Sequence, residues 1–218
     1  GGQNSVITDG QFSVDIPRAR RIADRSDIST GLVHLTRPTD TMRVEEILLK
    51  ILLEKKLIGS STDKGFICGN QRAVCFQDAP LYSICQNVYF EQLKRENDSN
   101  YKTRYLAFGL VFSKPYLFNK GARPVVYEKT EIAKKFLPAE EWWRIVRLDL
   151  SDESNIVDWT HEREWRLPGD FEFELDKATL VTIDNTHVKT VASAYKKKTG
   201  NEIRDLLRGV VTTRDVLF

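Results

Sequence analysis

"DWTHEREWRLPGD", Asp158 to Asp170, is the stretch on which the fold turns. In a β-strand, residues two apart point the same way. Read as a strand, it puts Asp158, Thr160, Glu162, Glu164 and Arg166 on one face. Trp159, His161, Arg163, Trp165 and Leu167 take the other. Trp165 and Leu167 suit a core, so the glutamates turn away from it, and Arg166 stands where it can pair with Glu164. Pro168-Gly169-Asp170 then ends the strand in a sharp turn. Such a face is either a solvated ion ladder or a pair of acids addressing a substrate, and the residues alone leave both open.

Working outward, "NIVDWTHEREWRL" (155–167), "FEFEL" (171–175) and "ATLVTIDN" (178–185) read as successive strands, and "RIVRLDL" (144–150) as another before them. "TEIAKKFLPAEEWWRIV" (130–146) is helical in part and breaks at Pro138. "YLAFGLVFS" (105–113) and "GARPVVYEK" (121–129) alternate as strands. "ENDSNYK" (96–102) is a polar turn. Toward the N-terminus, "DTMRVEEILLKILLEKKLIG" (40–59) is a helix. Asp40 or Thr41 can cap it, and Val44, Ile47, Leu48, Ile51 and Leu52 give it one apolar face. "GLVHLTR" (31–37) is a short strand that Pro38 stops. "RAVCF" (72–76) is a strand feeding a helix over 78–96, capped by Asp78, with Pro80 in its first turn. A helix over 189–207 and a strand over 209–218 close the chain. Early helices followed by many strands make the class α+β.

The chain has 218 residues, 41% hydrophobic and 29% charged, with a net charge of +2. That suffices for one domain over 31–218 with a polar arm over 1–30. The overall charge announces neither nucleic acid nor membrane. Local clusters at Arg18, Arg20 and Arg21 and at Lys196 to Lys198 could still steer a nucleic acid by its phosphates. No apolar run reaches membrane-spanning length, and no signal peptide shows at the N-terminus. Three loosely spaced cysteines, Cys68, Cys75 and Cys85, suit neither a disulfide framework nor a zinc site. The expected location is the cytoplasm, with reduced thiols.

A carboxylate held beside a sugar can stabilise positive charge at the anomeric carbon. A second carboxylate nearby can orient or deprotonate the attacking group. Transfer of a glycosyl group from a cationic leaving group, such as the nicotinamide of NAD, needs that pair. Glu162-Arg163-Glu164 followed by Pro168 resembles the E-x-E signature of the ADP-ribosyltransferase superfamily. "HLT" (34–36), the helix ending in "KLIGSS", and "AVCFQDAPLYS" (73–83) look like the arrangement of poly(ADP-ribose) polymerases and DarT-like proteins.

The resemblance covers about residues 31–168. It implies a split mixed β-sheet core with flanking helices, NAD as substrate, and Glu164 as the residue that bonds the nicotinamide ribose. Glu162 would serve the acceptor. His34, Thr36 and Arg37 would hold the dinucleotide, and Ser60 and Ser61 would line the cleft. Cys75 stands where polymerase-like members carry a stacking tyrosine, leaving Phe76, Tyr82 or Tyr89 to supply a ring. The acceptor would be a nucleic acid or protein, the role bacterial toxicity or phage defence, and an antitoxin a conceivable partner.

Two other readings stand beside it. The same fold could be a non-catalytic module binding NAD or nucleic acid, with Glu164 a structural partner of Arg166. Asp158 with Glu162 or Glu164 could instead hold Mg²⁺ in a nuclease. Arg123 could reach a pyrophosphate, whereas Trp142, Trp143, Trp159 and His161 read as packing residues.

Overall fold

A computed structural model of the chain describes residues 25–63, 67–97 and 106–217. In it, Asp158 to Asp170 is not one strand. Thr160–Glu162 is a turn of 3-10 helix, Arg163 takes a left-handed backbone (φ 46°), and the strand begins only at Glu164. The Asp158 carboxylate causes the interruption by accepting from the N–H of Thr160 (2.8 Å) and from its hydroxyl (2.7 Å). Short polar side chains that bond the backbone two residues on compete with extended structure. Glu162 and Glu164 therefore do not share a strand face, and Glu164 is buried rather than turned to solvent.

The elements in order are β1 (Gly31–Leu35), α1 (Val44–Glu54), β2 (Lys56–Leu57), β3 (Ala73–Gln77), α2 (Leu81–Asn97) and β4 (Gly109–Ser113). Next come α3 (Lys114–Asn119), β5 (Arg123–Pro124), β6 (Val126–Glu128), α4 (Thr130–Phe136), a 3-10 helix over Ala139–Arg144, and β7 (Ile145–Arg147). The remainder is β8 (Glu164–Pro168), β9 (Phe171–Glu172), β10 (Thr179–Thr182), α5 (Asn185–Thr199), α6 (Ile203–Leu206), β11 (Gly209–Thr212) and α7 (Arg214–Leu217). Seven strands form one sheet in the order β11-β10-β4-β1-β3-β8-β5, antiparallel throughout except for the parallel pair β10–β11. This is a mixed sheet in a single domain with flanking helices, within the α+β class that the segment pattern implies.

Alternation along the strands feeds two layers. Leu32, Val74, Phe76, Leu110, Phe112, Leu167 and Leu180 turn to the larger core, where Val44, Leu48 and Leu52 of α1 and Val191 and Tyr195 of α5 cover them. Phe112 meets Phe171 and Phe173 edge to face, with centroids 5.2 and 5.1 Å apart, a geometry that aromatic quadrupoles favour. Val33 points to the opposite side, against Ile84 and Val88 of α2.

Several boundaries depart from the expected ones. Helix α1 starts at Val44 because Glu46, not Asp40 or Thr41, closes its first turn by accepting from the Arg43 N–H (2.7 Å). Helix α2 starts at Leu81, and Asp78 does not cap it. The Asp78 carboxylate pairs instead with Lys114 Nζ at 2.7 Å, and its N–H donates to the Arg163 carbonyl. The segment 121–129 splits into β5 and β6, and α5 opens at Asn185 under an Asp184 cap and ends at Gly200 (φ 78°). The basic arm with Arg18, Arg20 and Arg21 lies outside the described residues, as does most of the polar turn over 96–102. No helix among the described residues is long and apolar enough to cross a membrane.

Candidate active site

Strand β3 has two unlike edges. Alternate residues of an antiparallel strand direct both backbone groups to one side. Toward β8 the pairing is complete from Ala73↔Pro168 to Gln77↔Glu164. Toward β1 it consists of Val33↔Gln77 alone. Two residues back, the Cys75 carbonyl accepts from His34 Nδ1 at 2.9 Å. Two further back, Ala73 is bridged by Ser60, whose N–H donates to the Ala73 carbonyl at 2.8 Å. The sheet is thus parted between β1 and β3, and an imidazole and the Ser60 backbone occupy the edge that β1 leaves. The chain beyond β1 is drawn the other way, with the Thr36 N–H donating to the Phe108 carbonyl (2.8 Å).

His34 is partly buried, edge-on to Phe76 with centroids 5.8 Å apart. Burial lowers its pKa from the ordinary 6.5, against a smaller opposing pull from the Cys75 carbonyl. A neutral ring that donates from Nδ1 presents Nε2 as an acceptor. Across β3, Glu164 and Arg166 form a buried pair, 7% and 4% exposed. Arg166 Nε lies 2.7 Å from Glu164 Oε1 and its Nη2 3.3 Å from Oε2. Arg166 Nη1 also donates to the carbonyls of Trp143 (2.8 Å) and Ile145 (3.0 Å). The guanidinium is therefore held by both a carboxylate and backbone, the condition under which a buried pair is sound.

Cys75 sits against this pair. Burial raises its thiol pKa strongly, and the neighbouring Glu164 carboxylate raises it further. It is a protonated, inert thiol rather than a nucleophile. The Tyr127 hydroxyl accepts from the Glu164 N–H at 2.7 Å, and burial, with the carboxylates of Glu164 and Glu162 nearby, pushes its pKa up to about 12.

The structure therefore gathers His34, Ser60 and Glu164 around one strand, with Thr36 and Ser61 partly buried beside the parting and Arg37 exposed beyond it. Glu162 lies partly buried on the 3-10 turn that leads into β8. Phe76 is 1% exposed within the aromatic core, so its ring has no face to offer a ligand. Tyr82 is 55% exposed on the first turn of α2. Arg123 is committed to the carbonyls of Phe118 and Ala122 and stacks on the Phe118 ring at 3.9 Å. Lys196 pairs with Glu202. Among the described residues no three His, Cys, Asp or Glu side chains are grouped so as to share a metal ion, which leaves the nuclease reading without a ligand set.

Tyr127 and Gln77 belong to the site and escape the sequence reading. Tyr127 arrives from 37 residues away, without local signal. Gln77 lies one residue past the strand expected over 72–76, and its pairing with Glu164 shows only in the register of β3 against β8.

Fold and site together define a class: a one-domain protein of mixed α and β structure whose largely antiparallel sheet is parted beside a histidine-bearing strand, with a buried carboxylate–guanidinium pair on the next strand but one. No protein-family model, curated protein or solved structure matches the chain.

Proposed function

We propose that the chain transfers ADP-ribose from NAD to a macromolecular acceptor, on an ADP-ribosyltransferase-like split sheet. One observation carries the reading. Three segments far apart in sequence, around His34, Cys75 and Glu164, are the consecutive strands β1, β3 and β8, and the ladder between the first two is open. A dinucleotide bound along that parting would meet the His34 imidazole and the Thr36 hydroxyl on one bank and the Glu164 carboxylate beyond the other. A carboxylate has about four lone-pair sites, of which the Arg166 fork uses two and the Cys75 thiol another, so it can still accept from a ribose hydroxyl. As the C–N bond breaks and its electrons leave with nicotinamide, a fixed carboxylate stabilises the positive charge left on the sugar. Glu162, on a separate turn, serves the incoming acceptor. Nucleic acid and protein are both suitable acceptors, and the bacterial toxicity or phage-defence setting, with its antitoxin, follows from the resemblance.

A specific observation favours a second reading, a module that binds without turnover. Glu164 is almost fully covered and already paired, and a cysteine stands where a stacking tyrosine is expected. Nicotinamide release from NAD, with label transfer to DNA, RNA and cell protein, separates the two. Glu164→Gln should lower release about 100-fold or more while NAD still raises the melting temperature. Glu162→Gln should lose transfer and keep hydrolysis. Turnover that survives Glu164→Gln removes that carboxylate from its role. Binding with no turnover in the native chain establishes the module.

A further inference from the structure

Among the buried side-chain nitrogens and oxygens of the described residues, Gln77 Oε1 is the one with no hydrogen-bond partner. A buried acceptor left without a donor is destabilising, and native chains rarely keep one without a use. Its position narrows the use. Gln77 ends β3 and pairs with Glu164 on β8 and with Val33 on β1. The Glu164 backbone is turned away from β3, since its N–H donates to Tyr127 and its carbonyl accepts from Val125 N–H (3.1 Å). Gln77 and Glu164 are therefore a non-hydrogen-bonded cross-strand pair, the kind with the closer side chains, Cβ atoms roughly 4.5–5.5 Å apart.

Two acceptors, an amide oxygen and a carboxylate, thus stand side by side on one face. The Arg166 guanidinium on the same strand as Glu164 is engaged with Glu164, Trp143 and Ile145. Adjacent acceptors match a ligand with adjacent donors, and two hydroxyls on neighbouring carbons supply them. We infer that Gln77 is the second acceptor of a ribose-diol site, its Oε1 taking the 3′-hydroxyl next to the 2′-hydroxyl that Glu164 takes. This rests on the ADP-ribosyl reading and adds to it a residue that binds substrate. The oxygen is covered by protein, so binding requires the residues over it to move aside.

Gln77→Met tests it, because methionine keeps the length and removes the acceptor. Without ligand, the variant should melt about 2–4 °C higher than the native chain, since an orphaned buried dipole is gone. With NAD, its KM should rise about tenfold, the loss of one hydrogen bond. An NAD analogue lacking the nicotinamide-ribose 3′-hydroxyl should cost the native chain the same factor and the variant nothing further. A lower melting temperature, or equal penalties from the analogue in both proteins, overturns the assignment of Gln77. A native chain that neither binds nor cleaves NAD overturns the ADP-ribosyl reading itself, a different result from an active chain indifferent to Gln77→Met.

Discussion

The two edges of β1 are built on different principles. Against β4 the ladder is continuous from Gly31↔Ser113 to Leu35↔Gly109, and apolar residues fill both faces. Against β3 it closes at one pair, and the β3 backbone left over is met by an imidazole and a serine backbone, with a buried ion pair one strand further. Backbone pairing is uniform and needs no particular residue. Side-chain substitutes need particular ones, and they leave polar groups where a ligand can meet them. The first edge should therefore yield to changes in volume and the second to changes in charge.

The largest effect is expected on the open side. Arg166→Met leaves Glu164 buried without its partner, and breaking such a pair costs about 3–5 kcal/mol. Urea unfolding reads this directly. Adding Glu164→Gln to the same chain should recover much of the loss, because no lone charge then remains buried. A double variant as unstable as the single one would mean that the guanidinium acts through its bonds to Trp143 and Ile145 rather than through the pair.

On the closed side, Gly109→Ala should cost about 2–3 kcal/mol by overpacking. A Cβ at this position would lie 1.9 Å from the His34 carbonyl oxygen and 3.1 Å from the Leu35 Cα, both backbone atoms that cannot turn aside. Strand β1 would have to back away from β4. Ser60→Ala, on the open side, should change stability by less than about 0.5 kcal/mol, because both of its bridging bonds to Ala73 are made by backbone. Equal losses in these two variants would erase the contrast between the edges.

The same contrast explains what the sequence made legible. Period-two apolar runs such as Leu32, Val74 with Phe76, and Leu110 with Phe112 follow from burial on one face, so the central strands are readable from residue order alone. The E-W-R order likewise makes the Glu164–Arg166 pair visible. Its burial is not visible, because the cover comes from Trp143 and Ile145, some twenty residues earlier in the chain. The false continuation of β8 through Glu162 has a local cause that pattern counting overlooks: an aspartate two residues before a threonine can fold back on the backbone. The helix breaks at Lys55 (φ 52°) and Gly200 (φ 78°) differ in the same sense, since glycine announces a left-handed residue and lysine does not.

Between the Gly109 and Ser60 variants in size lies an effect that tests the seam at its centre. His34 is held below its ordinary pKa of 6.5 by burial, whereas in the unfolded chain it titrates near 6.5. Below that pH the unfolded chain takes up a proton that the fold resists, so the histidine's contribution is fully present above about pH 6.5 and is lost as pH falls toward the lower folded value. His34→Gln keeps a donor for the Cys75 carbonyl and removes the titration. Near pH 8 it should be less stable than the native chain by about 1 kcal/mol, through poorer packing against Phe76. As pH falls toward 5.5 the gap should narrow, because only the native chain carries the penalty. Taking the difference between the two proteins cancels the contributions of the other ionisable groups. A gap that widened on acidification would mean that the fold welcomes the imidazolium. The ring would then carry a proton on Nε2, and the seam would offer a cation where a neutral acceptor is assigned.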